Sequence, residues 1–249
     1  MFRVQRTEPA PDSLAIEAKK QDGSYRQDDV LQVLRAIFYG KCYLCEDRAD
    51  SSLPIDHLKS KSKYPELEYD WGNLFLICGR CNNKKQSEDY RDISLLDCTS
   101  DQHMVDHILI THCDDGIINS HVDAQIKFVP HDDHREHIAL HQLEDIINNT
   151  ASLLDRIFNA PKSKSKHGLK KLFSEQANAL REALEKEMQF FNKALLDYNT
   201  ATLQNYDTVD QYLTKVVEEI QPKSLFSSFK RYYLQHYFTW LYEDVVNIK

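Results

Sequence analysis

Cys42-Tyr43-Leu44-Cys45 and Cys78-Gly79-Arg80-Cys81 frame the segment on which the fold of this chain turns. Each is a Cys-x2-Cys pair, and 32 residues, 46 to 77, separate them. Two thiolate pairs suit a tetrahedral structural zinc ion. The separation is longer than a minimal zinc ribbon needs, so a further piece of structure is expected between the knuckles. The plainer alternative is four buried, reduced cysteines, which rarely repeat this spacing. Cys98 and Cys113 stand apart and read as ordinary thiols.

The setting favours metal over disulfides. Met1 to Ser13 carries no apolar run of the kind a secretory leader needs. No stretch approaches the roughly 20 apolar residues of a membrane span. A cytoplasmic location with no membrane association is expected, and there paired cysteines point to metal. At 249 residues, 41% hydrophobic and 28% charged, the chain can build one large domain or two small ones.

Outward from the knuckles, four regions are expected: an N-terminal arm and helix (1–40), the cysteine-framed module (41–93), an acidic extension (94–130) and a helical domain (131–249). Ser24-Tyr25-Arg26-Gln27 fits a capping box, Val30, Leu34 and Ile37 recur at helical spacing, and Gly40 is a suitable stop. Leu74 to Cys78 suits a buried strand, and 94–130 is read as strands and loops. Beyond it, 137–158 is a candidate helix and 160–168 a loop. Leu180, Leu184, Phe191, Leu195 and Tyr198 mark a long helix, and Val209, Leu213, Val216 and Ile220 another. Pro222 breaks the chain before an aromatic-rich final helix over 225–248. The class is α+β: a small metal-stapled module with a mainly α-helical C-terminal part.

Net charge is −8, unfavourable for contact with a polyanion, but it is unevenly spread. From His57 to Arg91 there are seven Lys or Arg against five acids. From Asp97 to Gln125 there are six aspartates and no Lys or Arg. Lys59, Lys61, Lys63, Arg80, Lys84 and Lys85 are the candidate nucleic-acid contacts.

Between and after the knuckles stand Ile55-Asp56-His57, Trp71-Gly72-Asn73-Leu74 and, directly after Cys81, Asn82. This order resembles the HNH endonuclease family, with Asn82 where the family name has its last histidine. The resemblance implies a ββα-metal module, a nucleic-acid substrate and phosphodiester cleavage. The chemistry supports it independently. Histidine has an ordinary pKa near ~6.5, so neutral imidazole is at hand as a base, which assigns His57. Mg²⁺ or Mn²⁺ takes oxygen ligands and keeps several waters, so the Asp56 carboxylate and the Asn82 amide oxygen suffice. Asn73 joins the catalytic set through the family, as a brace for the loop between the strands. Adjacent side chains on a regular strand face opposite ways, so irregular backbone is expected at Asp56-His57-Leu58.

Lys59-Ser60-Lys61-Ser62-Lys63-Tyr64-Pro65-Glu66-Leu67 and Asp70-Trp71-Gly72-Asn73-Leu74 look more narrowly like the PtuB nucleases of Septu and retron-associated anti-phage systems. That subfamily often has Glu-His-Phe-x-Pro where this chain has Asp56-His57-Leu58-Lys59-Ser60. The likeness implies a defence effector partnered by a PtuA-type ABC or SMC-like ATPase and, in a retron, by a reverse transcriptase with its msDNA. Two other readings stay open: the same chemistry on RNA such as host tRNA, and a zinc-bound nucleic-acid or protein-binding module without catalysis. The histidines at 103, 107, 131, 134, 137 and 141 read as scattered polar residues, and the lysine run 162–171 as a solvated loop or a phosphate contact. The aromatic C-terminal segment reads as core or interface.

Overall fold

The computed structural model describes residues 1–48, 54–87, 90–100, 109–113, 126–130, 143–160, 173–204 and 207–246. The six histidines just named and the lysine run lie outside the described residues. The chain divides into two units: Met1–Leu109 with Val129–Ile157, and Ile110–Phe128 with Phe158–Lys249.

The first unit begins with an extended arm and two helices, α1 (Asp12–Glu17) and α2 (Asp28–Ile37). Helix α2 buries Val30, Leu34 and Ile37 and carries Asp28 and Asp29 in its first turn, where the helix dipole favours negative charge. It starts four residues after Ser24. The Ser24 hydroxyl instead accepts from the Arg26 amide at 3.2 Å, because Tyr25 leaves the helical path to pack inward. At the other end Tyr39 and Gly40 both have positive φ, 54° and 66°, and the Gly40 amide reaches back to the Arg35 carbonyl at 2.8 Å. This reversal delivers the chain directly to Cys42.

A two-stranded antiparallel sheet follows, β1 (Ile55–His57) and β2 (Leu74–Leu76), in the register Ile55↔Leu76, Asp56↔Phe75, His57↔Leu74. Every residue of both strands is buried. Phe75 anchors the module: its ring meets Tyr43 at 5.0 Å and Phe38 at 5.6 Å. Helix α3 (Gly79–Lys85) closes the ββα unit. Strands β3 (Leu109–Cys113) and β4 (Ile126–Pro130) pair separately. Helix α4 (Glu144–Phe158) ties to the segment after α3: the Leu96 amide donates to Thr150 Oγ1 at 2.9 Å, and the Tyr90 and Ser152 hydroxyls meet at 3.2 Å.

The second unit is mainly helical: α5 (Glu175–Leu203), α6 (Val209–Ile220), α7 (Ser227–Tyr237) and α8 (Thr239–Val246). The Ser174 hydroxyl caps α5 by accepting from the Ala177 amide. Leu180, Leu184, Met188, Phe191, Leu195 and Tyr198 are buried on one stripe of α5, as helical spacing requires. The final segment is two helices rather than the single one expected. Phe238 breaks it with φ −135°, its ring 6.1 Å from that of Tyr233, while the Thr239 hydroxyl donates to the Gln235 carbonyl. Most of its rings are core: Phe229 packs on Phe128 and Phe158. No helix among the described residues is long and apolar enough to cross a membrane.

Candidate active site

The four knuckle cysteines converge. Their sulfur atoms all lie within 4.8 Å of one another, and all four residues are buried. Cys45 Sγ and Cys78 Sγ are 3.8 Å apart, the edge of a tetrahedron with zinc–sulfur bonds of about 2.3 Å. The donor set and spacing therefore fit structural zinc. Cys78 is also the N-cap of α3, its sulfur accepting from the Cys81 amide. Hydrogen bonds from Cys42, Cys45 and Cys81 hold the Cys78 sulfur as thiolate. Arg80 sits beside the cluster and pairs with Asp47 at 3.2 Å. Burial alone would lower its pKa, but the charges of Cys45, Cys78 and Asp47 outweigh that and raise it.

Because the second knuckle is the first turn of α3, Asn82 and Lys85, three positions apart, share one helix face. That face meets β1 at a cavity of about 430 Å³ lined by Asp56, His57, Asn82 and Lys85 among others. The strand is regular through His57 and ends in a bend at Leu58 and Lys59, so of the three positions expected to be irregular, Asp56-His57-Leu58, only Leu58 is. Both side chains still reach the cavity. Among the described residues β1 is paired on one edge only, which leaves its other edge open to groups from either face.

His57 is buried, and its Nε2 lies 2.9 Å from the Glu68 carbonyl oxygen. A carbonyl only accepts, so Nε2 carries the proton and Nδ1 keeps the lone pair. The Tyr25 ring packs edge-on against the imidazole at 4.5 Å. Burial lowers the His57 pKa below that of a free histidine; the Glu68 hydrogen bond and Asp56 oppose this, and Lys61 and Lys85 add to it.

Asp56, 5% exposed, takes two hydrogen bonds on one oxygen: Oδ2 accepts from Lys85 Nζ at 2.6 Å and from the Tyr43 hydroxyl at 3.3 Å. Oδ1 takes none from the described residues. Burial and the neighbouring Asp56 charge push the Tyr43 hydroxyl well above the usual tyrosine range, so it stays a donor. An oxygen left over on Asp56 and an amide on Asn82, facing one cavity, are the donor types a small hard cation takes.

Asn73 is a brace. Its Oδ1 accepts from the Lys59 amide at 2.7 Å, and its Nδ2 donates to the Lys59 and Leu67 carbonyls at 3.0 and 3.2 Å. These bonds close the loop that carries Glu68 to His57. Asn73→Ala is expected to cost about 2–3 kcal/mol, because three partly buried backbone groups lose their partner. Urea denaturation measures it; a loss below about 0.5 kcal/mol would show that the loop holds its shape without the amide.

The cations named from the sequence separate in three dimensions. Lys85 is buried, bonded to Asp56 and also to the His57 carbonyl, and Arg80 is turned to Asp47. Each is thus paired with an acid of the protein, Lys85 in a buried pair and Arg80 in a partly exposed one. Lys61 lines the cavity and pairs with Glu68 at 2.8 Å. Lys59 and Lys63 are exposed and lie over the Tyr64 ring, and Lys84 is half-buried in the last turn of α3. Tyr25, Arg26, Tyr43, Gln86 and Arg91 were not singled out from the sequence; a tyrosine inside a knuckle and an arginine just beyond α3 were the available signals.

A ββα module with a four-cysteine cluster that fits zinc is the arrangement of an HNH endonuclease domain. Residues 42–88 match the family model described as HNH endonuclease. More particularly, the chain is distantly homologous to the Septu protein PtuB of Bacillus thuringiensis, with 36% identity over 64 residues. That match covers 24% of this chain and spans about a quarter, 25%, of the relative's length.

Proposed function

We propose that this protein is a metal-dependent endonuclease that hydrolyses phosphodiester bonds in nucleic acid, with DNA the favoured substrate. One observation carries the reading: His57 donates Nε2–H to the Glu68 carbonyl, which leaves the lone pair on Nδ1, and the residue lines one cavity with Asp56 and Asn82. In the proposed step a water oxygen bonds to phosphorus as its proton passes to His57 Nδ1. The bond from phosphorus to the leaving oxygen breaks. Mg²⁺ or Mn²⁺, held by Asp56 and Asn82, would supply Lewis acidity to the phosphoryl and leaving oxygens. Asp56 is held ready by Tyr43 and Lys85, and His57 by Glu68 and Tyr25. Asn73 acts only through the loop.

The purified full chain is expected to cut DNA with Mg²⁺ or Mn²⁺ added and not without. Absence of divalent-dependent cleavage of DNA and RNA, alone and with its partner, would leave a binding module. The pH profile tests the base directly. Protonated His57 cannot accept a proton, and burial lowers its pKa from the ordinary value near ~6.5. The rate should therefore be full and flat at neutral pH and fall about tenfold per pH unit below an inflection under ~6.5. An inflection above ~7.5 would assign the base elsewhere.

The likeness to a Septu protein supports a finer reading: an effector nuclease of anti-phage defence, restrained or licensed by a PtuA-type ATPase. The net charge of −8 suits a nuclease that should not bind nucleic acid indiscriminately. Cleavage by the isolated chain and by its complex with the ATPase, at matched salt, is expected to differ in breadth or regulation. Identical behaviour would remove the ATPase from the proposal.

A further inference from the structure

Four cationic side chains line the cavity: Arg26, Lys61, Lys85 and Arg91. Two are committed, Lys61 to Glu68 and Lys85 to Asp56. Arg26 and Arg91 differ. Both are exposed, and among the described residues neither guanidinium has a carboxylate partner. Each is nevertheless oriented. The Arg26 guanidinium lies 5.3 Å over the ring of Tyr25, which is itself buried against His57. Arg91 donates through Nε and Nη2 to the Gln86 carbonyl, at 3.4 and 3.3 Å, beyond the end of α3. Arg26 precedes the HNH match and Arg91 follows it.

We infer that Arg26 and Arg91 are substrate-binding residues that hold the backbone phosphates flanking the scissile bond, so the working site extends beyond the HNH domain on both sides. The guanidinium is a planar fork matched to phosphate oxygens, and it remains charged at any working pH. Stacking on Tyr25 and bonding to Gln86 restrict the two side chains before substrate arrives, which lowers the ordering cost of binding. Two arginines fixed at a cavity beside a general base put positive charge where a polyanion must thread, on a chain that is acidic overall. The inference rests on the nuclease reading and adds which residues grip the substrate.

The test measures affinity, not turnover. Full-length chain carrying His57→Ala, with no divalent cation added, is titrated with a labelled DNA duplex of about 30 base pairs over a range of salt. Arg26→Ala and Arg91→Ala are each expected to weaken binding about three- to tenfold and to lower the slope of log affinity against log salt by about 1. The double variant should lower the slope by about 2. Arg26→Lys and Arg91→Lys should restore the slope while recovering only part of the affinity.

Unchanged affinity and slope in both alanine variants would overturn the inference. So would an equal loss from Lys215→Ala, an exposed cation on α6, since that would mark a general charge effect. Failure of the lysine variants to restore the slope would also overturn it, because the loss would then be structural. Metal-dependent cleavage by the unaltered chain separates the two readings. If it cuts while the arginine variants bind normally, only this inference fails; if it neither binds nor cuts DNA or RNA, the nuclease reading falls as well.

Discussion

Replacing His57 by alanine is expected to lower cleavage by about 10²- to 10⁴-fold while the protein stays folded and keeps its zinc. The rate loss follows from geometry. With Nε2 tied to the Glu68 carbonyl, Nδ1 is the nitrogen left to take a proton from water, and alanine offers none. The variant also loses the edge contact with Tyr25 and leaves the Glu68 carbonyl without its donor, which costs about 1–3 kcal/mol. That is small beside what a zinc site contributes, so the knuckles should hold. Single-turnover rates at saturating substrate isolate the chemical step from binding. Metal analysis and a melting curve establish that the fold survives. A variant that still cuts within about tenfold of the parent chain would end the assignment of His57 as base.

With zinc assigned to the four-cysteine cluster, its removal is expected to have the larger structural effect. Structural zinc sites of this kind contribute about 10–16 kcal/mol of apparent binding free energy at neutral pH, comparable with the whole stability of a domain. Little else is available to hold the module. Each strand has three residues, α3 has seven, and the knuckles supply the ends of the segment between them. A strong chelator, or Cys81→Ser, should therefore unfold the segment from Cys42 to Lys85 and abolish cutting. Helices α5 to α8 pack among themselves and should keep their helical signal. Hydrogen exchange resolves the two: fast exchange at 74–76 and 79–85, with protection retained along α5. Full protection of β2 after complete zinc loss would show that hydrophobic packing around Phe75 holds the module alone.

The two expectations are coupled through α3. Its first turn supplies Cys78 and Cys81 to the cluster, and its next turn carries Asn82 and Lys85 to Asp56 and His57. The cysteine cluster on one side and the residues facing Asp56 on the other are thus joined by one short helix. Loss of the metal should be read out at the cavity even though none of the four cysteines lines it.

Much of this was visible one residue at a time. A tetrahedral thiolate site admits few residue types at narrow spacings, so Cys42, Cys45, Cys78 and Cys81 stood out in one dimension. Helical periodicity is equally local, and the stripe from Leu180 to Tyr198 marked α5 before any coordinates. The helical break at Phe238 escaped because it depends on where one ring packs, which periodicity does not encode. The capping box read at Ser24 does not form for a similar reason: burying Tyr25 against His57 pulled the chain off the helical path that its local residues favoured.

The cations mark the division most clearly. Lys59, Lys85 and Arg80 are alike in a string of letters, a charge near a motif. Their fates were set by what each meets in the fold: Lys85 closes on a buried carboxylate of β1, Arg80 turns to Asp47, and Lys59 stays exposed. The cavity is then completed by Tyr25, Arg26 and Arg91, two of them brought from before the first knuckle. Coordination chemistry and hydrophobic period act over a few positions and survive in the residue order. Charge pairing and burial act through space, so only the folded chain determines which of its cations remain open to solvent.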